Sequence, residues 1–312
     1  MKVRHATSWL IAAAIMAVLL GLPPLLKNYG IYLMALWAIY AMAALGLNLT
    51  LGYAGQISLA QAAFLGVGAY ASAILTKAGW SLWAVMPVAA ALCFLLGIVL
   101  GFPALRVQHH YLAFATLGFN AFAYLVFRNE DWLTGGNFGI NRIPRPTLLG
   151  WSFRGQLDFY YLCLAMLGLL SLAIWLVLRS PWGRAFAALR DNPIRAESVG
   201  IDIRAYTLLA FALGSACAGF AGTLLAPLVQ FVDPSPFNLN VSLSILLMVI
   251  VGGAGRWAGP YLGAALVTLL PEWLRFSDSW YLLIFGIAVI ALLAWCPGGL
   301  LAIPDRLARR RA

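Results

Sequence analysis

About ten stretches of roughly 20 apolar residues, parted by short polar passages, leave this chain one kind of fold, because a helix of that length crosses a hydrocarbon core of ~30 Å. They fall near 8–26, 31–50, 57–76, 81–101, 110–128, 158–179, 206–230, 239–255, 258–275 and 279–296. Backbone groups in lipid must be satisfied within the protein, so such runs are helical. The predicted fold is therefore all-α: a polytopic integral membrane bundle of about ten transmembrane helices. Composition agrees, with 63% hydrophobic and 10% charged residues against about half and about a quarter in soluble domains. Residues 1–312 so committed read as a single transmembrane domain with no separate catalytic module. Gly252, Gly253, Gly255 and Gly259-Pro260 interrupt the eighth and ninth runs, which form either one long block or a broken hairpin.

Charge orients the bundle. The formal net charge of +10 is concentrated in three places. Arg179, Arg184, Arg190, Arg195 and Arg204 crowd one loop; Arg306, Arg309, Arg310 and Arg311 form a basic tail, about 300–312; Lys2 and Arg4 lead the chain. That placement is the signature of topology rather than of nucleic-acid binding. Six of the expected spans separate the N-terminus from the arginine loop and four separate the loop from the tail, so all three clusters fall on one side, the cytoplasmic one. The segment 128–157, with Arg128, Arg142, Arg145 and Arg154, falls outside in this layout and opposes the positive-inside rule. The first run resembles a secretory signal, but it reaches Pro23-Pro24 without a small-residue cleavage site and is expected to persist as a helix.

The chain offers little chemistry of its own. Cys93, Cys163, Cys217 and Cys296 stand singly in apolar runs, as small core residues rather than disulfides or metal ligands. His5, His109 and His110 lack a metal-ligand spacing, and His109-His110 suits an interfacial place beside Arg106. No phosphate-binding loop of the Walker type exists, and no cofactor is expected in this chain. The acids keep to loops and span ends; Glu272, the one well inside a run, is three residues from Arg275 and suits an interfacial pair. An ion-driven carrier needs buried charge in the membrane, so energy is expected to arrive from outside the bilayer.

One passage within the apolar blocks is polar and flexible. Between Leu45 and Tyr70 stand Asn48, Gly52, Gly55, Gln56, Ser58 and Gln61. Unwound backbone at membrane depth is tolerated where protein or a water-filled cavity satisfies it, which makes these residues candidate walls of a translocation pathway. Thr116 and Asn120 add neutral hydrogen-bonding groups on a later span. The plainer alternative is a tight turn whose small residues serve close helix packing, as Gly97/Gly101 and Gly259/Gly263 also do.

The arginine loop is the longest charged passage between spans. Gly183, Arg184, Arg190, Asn192, Ala196, Glu197 and Gly200 mark its pattern. Pro193 suits the first turn of a short helix capped by Asn192, and Gly200 can end it in the left-handed conformation. Such an amphipathic helix on the cytoplasmic face is either a lever that fits a groove on another protein or a solvated connector that sets topology.

The loop resembles the cytoplasmic coupling loop of ABC importer permeases, with Glu197 and Gly200 at the acid and glycine of that motif. Leu45 to Tyr70 is similar to the signature of branched-chain amino acid permeases of the LivM type. So are Gly101-Phe-Pro-Ala-Leu-Arg106 with Tyr111-Leu-Ala-Phe-Ala-Thr-Leu117, Thr134-Gly-Gly-Asn-Phe-Gly-Ile140, Gly252-Gly-Ala-Gly-Arg-Trp-Ala-Gly-Pro260 and Cys296-Pro-Gly-Gly-Leu300. Each block alone is weak; together, in order, they are specific. Gln61 stands where a His is common, and Asn137 follows Gly136 without the usual proline.

The resemblance implies a permease subunit in a bacterial inner membrane, multi-pass, with both termini cytoplasmic and a coupling loop at about 180–205. Its partners would be a homologous second permease, two cytoplasmic ATP-binding subunits that hold ATP-Mg, a periplasmic substrate-binding protein and the lipid bilayer. The implied cargo is leucine, isoleucine or valine, with urea, short amides or another small neutral solute as the alternative. An ATP-independent channel or secondary carrier is the alternative of a different class.

Overall fold

The computed structural model describes residues 17–104, 111–148, 151–153, 155–273, 286–287, 290 and 298–302. The start of the expected first span, most of the tenth, His5, His109, His110, Arg106, Arg154, Arg275, Cys296 and the basic clusters at both ends lie outside the described residues. Within them the fold is helical. Helix α1 (Asn28–Leu47) runs into a π-helical segment, Asn48–Tyr53. Then follow α2 (Gln61–Lys77), α3 (Leu82–Ala104), α4 (Tyr111–Asn129) and the single turn α5 (Asp131–Thr134). Helix α6 (Gln156–Arg179) leads into the arginine loop, which folds as α7 (Pro181–Asp191) and α8 (Pro193–Ser198). Helices α9 (Ile203–Val229), α10 (Leu239–Gly252) and α11 (Gly259–Trp273) follow.

Four of these helices are long and apolar enough to cross a membrane: α1 with its π segment, α3, α6 and α9. Their burial differs with position. The most apolar windows of α1 and α9 are 72% buried in the protein, whereas those of α3 and α6 are 33% and 22% buried. The first pair therefore forms the centre, and the second presents apolar faces such as Leu95, Val99, Leu169 and Leu172 outward. Helix α9 packs on α1, α2 and α3, while α1 also packs on α6, α10 and α11.

Close approach of backbones explains the abundance of small residues. A β-carbon on Gly46 of α1 would lie 2.6 Å from the Gly214 carbonyl oxygen of α9, and one on Gly68 of α2 would lie 2.8 Å from Cα of Gly219. Gly97 meets Ala212 of α9, and Gly263 of α11 meets α10, so the packing role predicted for Gly97/Gly101 and Gly259/Gly263 is what the fold shows. Polar side chains tie the helices further: the Trp37 indole donates to Tyr261 O at 3.0 Å, and the Tyr261 hydroxyl donates to Ser171 Oγ at 2.6 Å. Cys93, Cys163 and Cys217 are buried and unbridged.

The interrupted eighth and ninth runs form the broken hairpin, α10 and α11 packed side by side around the turn at Gly253–Ala258. Short strands fix the opposite end of the molecule. Ile140-Asn141 pairs antiparallel with Phe231-Val232, which follow α9. A helix of α9's length is about 40 Å long, so the segment holding Arg128, Arg142 and Arg145 lies across the bundle from the arginine loop. Arg145 there stands 5.6 Å over the Phe159 ring, fixed by packing as well as charge.

Candidate functional site

The arginine loop is built by local caps. Ser180 Oγ accepts from the Trp182 amide at 3.2 Å and starts α7, with Pro181 at its first position. Asn192 Oδ1 accepts from the Arg195 amide at 3.1 Å and starts α8. Gly200, at φ +86°, ends α8: its amide donates to Glu197 O at 2.9 Å and the Ile201 amide to Ala196 O at 3.1 Å, a Schellman closure. Gly183 is required by the corner between α6 and α7, since a β-carbon there would lie 2.5 Å from Cα of Leu178.

The loop has two faces. Inward, Phe186 is fully buried and shares a cluster with Leu49, Ala54 and Ala210, its ring edge-on to Tyr206 with centroids 6.4 Å apart. Outward, Arg184, Arg195 and Glu197 are exposed, and Ile194 and Val199 expose 78% and 75% of their surface. Ala188, Asp191, Asn192, Arg195, Ala196 and Val199 line an open groove between α7 and α8. Ala196 itself is buried beneath it.

Directly above the inward face lies the break predicted near Gly52–Gln61. The π segment carries α1 to Tyr53 with the longer-range bond Ala54 N–H to Leu49 O, 3.1 Å, and Gln56 N–H then reaches Thr50 O at 3.0 Å. From Gly55 to Ala60 the chain has no regular structure, with Gln56, Ser58 and Ala60 buried and Ile57 exposed. Helix α2 then begins inside the bundle. Its N-cap residue, Ala60, has no side-chain oxygen, and the first amides find partners elsewhere. Leu59 N–H donates to Thr116 Oγ1 at 3.0 Å, Ala60 N–H to Ser58 Oγ at 3.3 Å, Ala62 N–H to Ser242 Oγ at 2.9 Å and Ala63 N–H to Asn120 Oδ1 at 3.0 Å. Ser242 Oγ also donates to Asn120 Oδ1 at 3.2 Å.

These partners set the depth. Asn120 is about 14 Å along α4 from its start and Ser242 about 15 Å along α10 from its C-terminal end, near half of a ~30 Å core. Helix α10 is itself a partial span, entered through the irregular stretch around Pro234–Asn238 with Asn238 Oδ1 accepting from the Val241 amide at 3.3 Å. Two partial helices, entering from opposite ends of the bundle, thus meet at Asn120. Sequence patterning missed this second break and Ser242. The signal was present as Pro234-Ser-Pro236 before a run that Gly252-Gly253 cuts short.

The nominated pathway residues divide. Asn48 is a clasp: Oδ1 accepts from Gly255 N–H at 2.8 Å and Nδ2 donates to Arg256 O at 3.1 Å, joining the π segment to the α10–α11 turn. Gly52 lies against the same turn, where a β-carbon would sit 2.8 Å from Cα of Gly255. Ser58, Thr116 and Asn120 serve the start of α2. Gln56 and Gln61 differ, for both are buried and their side-chain carbonyl oxygens have no hydrogen-bond partner among the described residues. Ala54, Gly55, Gln56, Leu189, Arg190, Pro193, Ile203 and Thr207 line a partly open cavity of about 100 Å³, so the break and the arginine loop share one space.

A helical bundle with partial spans meeting at its middle, above a folded polar loop, is the architecture of a multi-pass membrane permease. The chain belongs to the family of permease components of branched-chain amino acid transport systems, whose profile matches residues 29–293. The high-affinity branched-chain amino acid transport system permease protein LivM of Escherichia coli (strain K12) is 34% identical over 317 aligned residues, 94% of this chain and 74% of that protein. LivM of Salmonella typhimurium is 33% identical, covering 92% and 73%. The autoinducer 2 import system permease protein LsrC of Escherichia coli O157:H7 is 26% identical, covering 90% and 85%. No solved structure matches the chain.

Proposed function

We propose that this chain is the membrane subunit of an ATP-driven ABC importer of the bacterial inner membrane, and that its cargo is leucine, isoleucine or valine. The observation that carries the role is the two-faced arginine loop. Phe186 and Leu189 seat it under the broken helix, while Ile194, Val199, Arg195 and Glu197 are left exposed outside any membrane span. Exposed aliphatic residues beside a groove on a polar segment suit a protein partner. Two cytoplasmic ATP-binding subunits holding ATP-Mg fill that role, with residues 183–200 as their contact. A homologous second permease and a periplasmic substrate-binding protein complete the assembly. Both termini lie on the cytoplasmic side.

The family and the interior support the cargo. A zwitterion with an aliphatic side chain needs apolar walls, a few neutral hydrogen-bonding groups and no fixed charge. Gln56 and Gln61 offer buried, unpaired acceptors to a passing ammonium group. The pathway runs beside them, and Asn48, Ser58, Thr116 and Asn120 hold its wall. Urea or a short amide suits the same lining, and the LsrC relatives belong to import systems for a different cargo, autoinducer 2.

Reconstitution with the partner subunits tests both levels. Leucine uptake should require ATP and the binding protein, and excess isoleucine or valine should compete. Glu197→Lys and Gly200→Asp should abolish uptake while membrane insertion stays intact. Uptake by the permease alone in vesicles would show a channel or secondary carrier instead. Competition by urea or an amide but not by leucine would leave the importer role and overturn the cargo.

A further inference from the structure

Arg190 belongs to the loop, yet it is directed at the membrane domain. Its Cα, Cβ and Cγ pack on Gly55, at 3.5–3.7 Å from the position a β-carbon would take there. Its guanidinium lies against Gly255, where a β-carbon would sit 2.9 Å from Cζ of Arg190 and 2.6 Å from Gly52 O. Both glycines have positive φ, +73° and +76°, so the two turns that receive Arg190 are shaped for a bare backbone.

Those turns follow two helix C-termini. The α1 π segment ends at Tyr53, just before Gly55, and α10 ends at Gly252, just before Gly255. The last carbonyls of a helix carry a partial negative charge that attracts a cation within about one turn. Arg190 therefore sits where two helix ends converge, one from each side of the α1/α10 contact, and the Asn48 clasp to Gly255 and Arg256 joins the same two ends a turn above. The cavity of about 100 Å³ beneath Gln56 has Arg190 in its wall.

We infer that Arg190 is a positioning residue, a bolt by which the arginine loop draws together the C-terminal ends of α1 and α10 and closes the cytoplasmic mouth of the pathway beside Gln56. This rests on the importer role proposed above for the direction of movement, because the partner that grips the outward face of α7 and α8 withdraws the bolt. The contacts of Arg190 with Gly55 and Gly255 do not depend on it.

The test uses the assembled transporter in vesicles, with Cys93, Cys163, Cys217 and Cys296 replaced and Gln56→Cys introduced. Labelling by a membrane-impermeant maleimide is measured from the ATPase side, without nucleotide and with nucleotide trapped. With Arg190 present, labelling should be slow in one state and about tenfold faster in the other, the scale of a charge held at helix termini. Arg190→Gln should give the fast rate in both states, and Arg190→Lys, which keeps the charge, should restore most of the difference. A purely structural role would lower the yield of folded complex without making labelling independent of nucleotide. If Arg190→Gln labels like the parent in both states, the bolt is overturned. If the parent ignores nucleotide while Arg190→Gln still labels faster, the importer role fails and the bolt stands.

Discussion

The arginine loop and the membrane break above it solve the same problem in opposite ways. Each contains helices that begin away from a continuous span, so each has first-turn amides that need acceptors. In the loop every acceptor is local: Ser180 serves Trp182, Asn192 serves Arg195, and Asp202 serves Arg204 and Ala205. In the break, Thr116 and Asn120 serve amides 57 residues away, and Ser242 serves one 180 residues away. A locally capped helix keeps its start when it is displaced as a unit, as a lever must. The start of α2 is held by α4 and α10, so it can change only when those helices move relative to one another.

That contrast can be broken by substitution, and the largest effect belongs to the break. Asn120→Leu leaves the Ala63 amide and the Ser242 hydroxyl without their shared acceptor, and each buried unpaired group costs about 1–3 kcal/mol. Uptake should be lost and the melting temperature of the purified chain should fall by several degrees. Asn120→Ala and Ser242→Ala should be non-additive in a double-mutant cycle, since they share one network. Additive losses would show that α2 does not depend on the junction.

Asn48→Ala should come next, at about 1–2 kcal/mol, because it opens both bonds to the α10–α11 turn. Protease susceptibility at Gly253–Ala258 in the purified protein is the readout, and unchanged cleavage would show that the Asn48 clasp does not hold the turn. Asn192→Ala removes a local cap worth about 1 kcal/mol. Its effect should stay within α8, appear as faster amide exchange at Arg195, and be restored by Asn192→Ser. Spread of that exchange into α2 would contradict the separation of the two regions. Ser180→Ala should be the mildest, about 0.5 kcal/mol, because Pro181 still presets the first turn of α7.

Much of the loop was legible in the sequence because its caps are local. Asn192, Pro193 and Gly200 are adjacent in the chain to the groups they serve, so their pattern names the structure. The break was legible as a place but not as an arrangement. Asn48, Ser58, Thr116 and Asn120 stood out as polar groups among apolar ones, which says that each needs a partner and nothing about which. They proved to be bonded to backbone, whereas Gln56 and Gln61 retain unpaired oxygens.

What the sequence by itself determined is the solvent and the class: apolar runs of spanning length force helices in a bilayer, and ordered family motifs mark a permease. The expected positions of the runs between residues 31 and 275 also recur as helices, since length and hydropathy are properties of contiguous residues. Only the tertiary structure decided that α1 and α9 form the centre while α3 and α6 face outward, because all four are apolar throughout and lipid does not distinguish a buried leucine from an exposed one. It alone brought Ser242 to Ala62 and Arg190 to Gly255, since hydrogen bonding and close packing act over a few ångströms of space whatever the distance along the chain.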